Sequence, residues 1–140
     1  MIYLDTSVVV PLLVSEPKSQ DVKTWYSRLD KVPVASDWLL SEFASAISIK
    51  LRSGELKESD AKIVNREFEA MAAGGLRLVP VSRAAFREAA RLAQHYKQGL
   101  RAGDALHLAT ALELGAGSIA TLDVLMATYV KRLKIKVEPI

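Results

Sequence analysis

Met1-Ile2-Tyr3-Leu4-Asp5-Thr6-Ser7-Val8-Val9-Val10-Pro11-Leu12-Leu13-Val14 opens the chain. Met1 to Leu4 is an apolar run too short for a helix, and it ends at an acid, which predicts a short buried strand. Val8 to Val14 is apolar without alternation. It predicts a helix capped by Thr6 or Ser7, with Pro11 in the first turn, where a missing N–H is tolerated. A strand that passes straight into a helix is half of a βαβ unit.

The same step recurs along the chain. After a helix over about Ser19 to Leu29, Val32 to Ser36 reads as a strand. Asp37 then stands at the head of a helix marked by Leu40, Phe43, Ile47 and Leu51 and ended by Gly54. Lys57 to Ala73 predicts another helix, stopped by Gly74-Gly75, and Leu76 to Val81 a third strand. Ser82 caps a helix over Arg83 to Lys97 that is expected to bury Phe86, Ala89, Ala93 and Tyr96. Asp104 to Leu114 is apolar nearly all round, as a buried helix is. Ile119 to Leu122 reads as a strand, Val124 to Leu133 as a helix and Ile135 to Glu138 as a last strand. Strands alternating with helices pair in parallel through right-handed crossovers. The expected fold class is α/β, a three-layer α/β/α sandwich around a parallel sheet, with residues 1–140 forming one domain.

Composition bounds the chemistry. The 140 residues are 50% hydrophobic and 25% charged, enough to bury a core. With no cysteine, a disulfide framework, a thiolate metal site and a cysteine nucleophile are excluded, and a cytoplasmic location is expected. No apolar run reaches the roughly 20 residues of a membrane span. The first residues show neither the basic segment nor the small-residue cleavage site of an export signal. No P-loop, dinucleotide fingerprint or serine–histidine–acid arrangement is present.

In parallel α/β sheets ligands bind beyond the carboxyl ends of the strands. Asp5 follows the first strand and Asp123 follows the fourth. Glu42 lies early in the helix after the second strand, and Asp104 opens the buried helix before the fourth. Singly, each acid has an ordinary role as a helix cap, a first-turn residue or a solvated side chain. Together, four carboxylates at one sheet edge repel one another, and burial raises their pKa values. A hard divalent cation resolves that conflict: Mg²⁺, or Mn²⁺ in its place, prefers oxygen ligands and keeps several waters. Thr6 and Ser7 place hydroxyls beside Asp5, and Thr121 stands near Asp123, where such groups orient carboxylates or cap turns.

The rest of the charge fits a polyanionic partner. The chain holds 19 Lys and Arg against 16 Asp and Glu, a net of +3. Setting the four candidate acids aside leaves 12 acidic residues against 19 basic ones, a net of +7. Arg83, Arg87, Arg91 and His95 recur every four residues, and Lys131 belongs to a basic C-terminal cluster. These are candidate phosphate contacts or simply solvated faces. His107, three positions after Asp104, reads more readily as a hydrogen-bonded interior histidine than as a ligand.

The segments Ile2-Tyr3-Leu4-Asp5-Thr6-Ser7, Ser41-Glu42, Leu100 to Ala109 and Ala120-Thr121-Leu122-Asp123 resemble the PIN-domain ribonucleases, and in size and order the VapC-type toxins of toxin–antitoxin pairs. The resemblance covers essentially the whole chain. It implies a parallel sheet in the order 3-2-1-4-5 and an acidic pocket of Asp5, Glu42, Asp104 and Asp123. Asp5 and Asp104 would be the principal Mg²⁺ ligands, with Ser7 and Thr121 as supporting polar residues. It also implies an RNA substrate, a homodimer and a small VapB-like antitoxin. The apolar Val8–Val14 stretch with Trp25 and Tyr26 is one candidate surface for that antitoxin, and core packing is the other use of the same residues. Val124-Leu125-Met126 departs from the family, whose members often carry a basic residue and a leucine after the last acid.

Three rivals are weighed. A haloacid-type phosphatase wants a second aspartate two residues after Asp5, where Ser7 stands. A receiver-like signalling domain wants an aspartate closing the third strand, and Leu78-Val79-Pro80-Val81-Ser82 has none. A non-catalytic PIN-like RNA-binding or complex-forming domain is the remaining alternative, and the full set of four acids argues against it.

Overall fold

Tyr3 and Leu4 are neighbours with no exposed surface, and they point into different cores. That follows from the period of two along a strand, which sends successive side chains to opposite faces. The computed structural model describes all 140 residues. In chain order the elements are β1 (Ile2–Leu4), α1 (Thr6–Leu13), α2 (Ser19–Ser27), β2 (Val34–Ser36), α3 (Trp38–Ser53), α4 (Glu58–Ala70), β3 (Arg77–Val79), α5 (Arg83–Ala93), α6 (Ala102–Glu113), β4 (Ser118–Ala120), α7 (Val124–Arg132) and β5 (Lys136–Val137).

The five strands form one parallel sheet in the order β3-β2-β1-β4-β5, as expected. Tyr3 pairs with Val34 on one side and with Ile119 on the other, so β1 is the centre of the sheet. On the Leu4 face, α1 to α4 contribute Val8, Val9, Val22, Leu39, Phe43 and Phe68 to a core. The Phe43 and Phe68 rings stack with centroids 4.0 Å apart and tie α3 to α4. On the Tyr3 face, α5 to α7 contribute Ala89, Leu92, Leu108, Met126 and Val130. The result is the expected α/β/α sandwich. No helix is long and apolar enough to cross a membrane.

Several local expectations are corrected. The cap of α1 is Asp5, whose carboxylate accepts the Ser7 N–H, not Thr6 or Ser7. The helix therefore starts at Thr6, and Pro11 lies beyond its first turn. Asp37 stands at the N-cap position of α3 but makes no side-chain cap bond. The helix α4 ends at Ala70 in a widened turn over Met71–Gly75. α5 is shorter than expected and its inner face is shifted: Ala89 is buried and Ala93 packs against the core as expected, with Ala85 and Leu92 beside them, whereas Phe86 is 51% exposed and Tyr96 81%. Alanines on its inner face let α5 pack closely on the alanine-rich α6. Val8, Val9, Val10, Val14 and Trp25 belong to the core, which removes most of the proposed antitoxin surface. Ser82 caps α5 by accepting the Ala85 N–H, and Gly54 closes α3 at φ +77°, both as expected.

Candidate active site

The sheet order brings β1 and β4 side by side, so the residues that follow them meet. Asp5, Glu42, Asp104 and Asp123 all line one cavity of about 600 Å³, together with Thr6, Ser7, Trp38, Arg101 and His107. Thr121 stands behind it, bonded to Asp5. Arg83, Arg87, Arg91 and Lys131 do not line the cavity, and Arg91 is engaged with Glu88 at 2.9 Å.

Asp5 is 3% exposed. Its Oδ1 accepts the Ser7 N–H at 3.0 Å and the Ser7 hydroxyl, and its Oδ2 accepts the Thr121 hydroxyl. Burial pushes its pKa up. The nearby His107 ring and the two hydroxyl donors oppose that rise, and the Asp104 carboxylate adds to it. Ser7 Oγ also receives the Leu122 N–H at 2.8 Å, and Thr121 Oγ1 receives the Asp123 N–H at 3.1 Å. The two hydroxyls thus join the end of β1 to the end of β4.

Glu42 sits in the second turn of α3. Its Oε2 accepts the Thr6 hydroxyl and lies 2.6 Å from His107 Nε2. Burial alone would raise its pKa, but the hydrogen bonds from His107 and the Thr6 hydroxyl outweigh burial and hold it below the usual range. Asp104 stands in the first turn of α6, where the helix dipole favours an anion. Its pKa is raised, first by burial and then by the charges of Asp123 and Glu42, against the pull of Arg101. Asp104 Oδ2 is buried without a hydrogen-bond partner. Asp123 does two things: its Oδ1 caps α7 by accepting the Met126 N–H at 2.8 Å, and its Oδ2 lies 3.7 Å from Arg101 Nη2.

The donor set suits a small hard cation. No three acids or histidines stand close enough to ring a single ion. Mg²⁺, however, is commonly held by one or two carboxylates, with waters completing its shell. Asp5 keeps an open lone pair beyond its three hydrogen bonds, and Asp104 Oδ2 accepts no hydrogen bond, with Arg101 Nε facing it at 3.7 Å. These two carboxylates, the second of which adds to the raised pKa of the first, fit such an ion.

Sequence reasoning missed Arg101, the one lysine or arginine of the cavity. Its position three residues before Asp104 was the available signal. It also missed the partnership of Glu42 with His107, which lie 65 residues apart.

Solved structures share this fold. VapC20 of Mycobacterium tuberculosis, described as a sarcin–ricin loop cleaving toxin, superposes with a TM-score of 0.74 at 17% identity, covering 92% of this chain and 95% of its own. FitAcB from Neisseria gonorrhoeae gives 0.75 at 19% identity, with 99% and 97% covered. VapBC2 from Rickettsia felis, bound to a DNA fragment from its promoter, gives 0.66 at 16% identity, with 99% and 98% covered. No curated protein sequence matches the chain. The family model described as PIN domain matches residues 2–130.

Proposed function

The chain belongs to the PIN domain family, and on that premise we propose that it is a Mg²⁺-dependent endoribonuclease, the VapC-type toxin of a toxin–antitoxin pair, with residues 1–140 acting as one nuclease domain. The observation that carries this reading is the convergence of Asp5, Glu42, Asp104 and Asp123 on one cavity, with Asp5 buried and Asp104 Oδ2 buried without a hydrogen bond. So many acids in one partly dry space are costly without a cation.

Asp5 and Asp104 are the proposed ligands of Mg²⁺, or of Mn²⁺ as a substitute, with Glu42 and Asp123 completing the acidic set. Held there, such an ion would supply Lewis-acid polarisation of a phosphoryl oxygen and easier deprotonation of water. Ser7 and Thr121 hold both oxygens of Asp5 and fix its orientation. Glu42, kept ionised at neutral pH, orients the attacking water and accepts its proton. Arg101 at the cavity mouth attracts the phosphate backbone. In-line attack by water on phosphorus, with departure of the 3′ oxygen, leaves a 5′-phosphate and a 3′-hydroxyl. The ribose 2′-hydroxyl takes no part, so preference for RNA comes from its shape and single-stranded contacts. Arg83, Arg87, Arg91 and Lys131 lie outside the cavity and remain proposed contacts for RNA further along the strand.

The shared fold of a sarcin–ricin loop cleaving toxin and of a VapBC assembly supports the toxin reading. A small VapB-like antitoxin, a homodimer and a cytoplasmic location belong to the same proposal. The test is incubation of the purified chain with cellular RNA in Mg²⁺, in EDTA, and as the Asp5→Asn variant. Cleavage with 5′-phosphate ends, abolished by EDTA and by the substitution, is the expected result. Cleavage that survives both overturns the site. RNA binding without cleavage in Mg²⁺ replaces the enzyme with a non-catalytic PIN-like binding domain.

A further inference from the structure

Glu42 is fastened to the sheet through two buried side chains. Tyr3, on the central strand, has no exposed surface, and its hydroxyl accepts the Ser36 N–H from β2 at 3.2 Å. The same oxygen lies 2.9 Å from His107 Nδ1, with the two rings edge to face at 67°. His107 is 1% exposed, and its Nε2 lies 2.6 Å from Glu42 Oε2 and 3.2 Å from Thr6 Oγ1. Thr6 donates its own hydroxyl to Glu42 Oε2.

Hydrogen-bond satisfaction decides the direction of this chain. The Tyr3 oxygen already receives one N–H, and the acceptor well placed for its O–H is Nδ1; the buried Ser36 Oγ close by makes no well-formed hydrogen bond. If Nδ1 carried the proton, the buried phenolic O–H would be left with that poorly placed hydroxyl, which is costly. The phenol therefore donates to a bare Nδ1, and Nε2 carries the proton toward Glu42.

We propose that Tyr3 and His107 are positioning residues that aim Glu42 into the cavity, with His107 as the Nε2–H tautomer fixed by the Tyr3 hydroxyl. Four elements join at this point: β1 supplies Tyr3, β2 the Ser36 N–H, α6 His107 and α3 Glu42. Neither side chain is asked to touch RNA. The inference rests on the nuclease reading for its consequence, whereas the tether itself is a property of the fold.

The test uses the full chain, with Tyr3→Phe, His107→Gln and His107→Leu beside the wild type. Ring ¹⁵N spectra of the wild type are expected to show one His107 tautomer, protonated at Nε2. Turnover of an RNA oligonucleotide should fall about 10- to 100-fold in His107→Leu and by less in Tyr3→Phe, with KM little changed. His107→Gln, which returns an amide N–H near the Nε2 position, should recover most of the loss. Calorimetric titration with Mn²⁺ should show weaker binding in His107→Leu and recovery in His107→Gln. A wild-type His107 protonated at Nδ1 overturns the proposal. So does a His107→Leu variant with wild-type turnover, or a His107→Gln variant as impaired as His107→Leu. If the wild type itself cuts no RNA, the nuclease reading fails, and the ¹⁵N spectra and Mn²⁺ titrations decide the tether on their own.

Discussion

Gly103 and Glu42 touch so closely that a Cβ built on Gly103 would lie 2.3 Å from Glu42 Oε1, with Trp38 Nε1 at 3.1 Å. The backbone at Gly103 is helical, so the need for glycine is one of space and not of φ. Gly103→Ala gains up to about 1 kcal/mol of helix propensity. It must also push aside a carboxylate end that Thr6 and His107 hold in place. The expected outcome is an unchanged or slightly raised melting temperature with cleavage reduced about tenfold or more. Thermal melts run beside an RNA cleavage assay check it. A variant that melts early yet cuts normally would show that the contact serves packing alone.

The acids of the cavity should pull stability in opposite directions with pH. Burial raises the pKa of Asp5 above its unfolded value, so the folded state holds a proton that the unfolded state has released. Its stabilising contribution is present at low pH and is lost as pH rises through the raised value. Glu42 is lowered in the fold, so its contribution is present at neutral pH and is lost on acidification. At pH 7, without added metal, Asp5→Asn should therefore unfold at higher denaturant than the wild type, and Glu42→Gln at lower. Both differences should shrink below about pH 4. Denaturant midpoints across pH decide it, and an Asp5→Asn variant less stable at pH 7 would sink this account of the charge.

Thr121 gives Asp5 Oδ2 its donor and takes the Asp123 N–H. Thr121→Val keeps the shape but leaves a buried carboxylate oxygen unmet. The expected cost is about 1–3 kcal/mol at neutral pH, with Thr121→Ser restoring most of it. Chemical unfolding of the pair at pH 7 is the measurement. A costless valine would mean that water already serves Oδ2.

Arg101 reaches toward two acids, with Nε 3.7 Å from Asp104 and Nη2 3.7 Å from Asp123. Its side chain is 79% exposed, so neither pair adds much stability. A cation so placed competes with a metal for the same carboxylates and attracts phosphate. Arg101→Ala should bind Mn²⁺ a few-fold more tightly, as titration calorimetry would read. It should also bind RNA more weakly, with the salt slope reduced by about one phosphate contact. Unchanged salt dependence would remove Arg101 from the RNA path.

The strands and the acids were legible because each signal is local, whereas the order of the strands in the sheet came only from the family resemblance. A short apolar run closed by an acid marks a strand end wherever it occurs, and Asp5 and Asp123 both carry that mark. The inner face of α5 was not legible. Phe86-Ala89-Ala93 and Ala85-Ala89-Leu92 both satisfy helical spacing, and only the close approach of α6 selects the smaller residues. The cap of α1 was misplaced because three successive residues, Asp5, Thr6 and Ser7, are all capable of capping. His107 was rightly read as an interior histidine, but its bonds to Tyr3 and Glu42 span 104 and 65 positions and leave no trace in local pattern.

The central strand precedes the other four along the chain and is completed late. Asp5 is synthesised 116 positions before Thr121, which holds it, and β4, which flanks β1, is nearly as distant. A nascent chain that stops before Ser118 lacks one neighbour of the central strand and one wall of the cavity. A chain stopped there has the first acid of the cavity but not the hydroxyl that holds it, so the site forms only once β4 has been made.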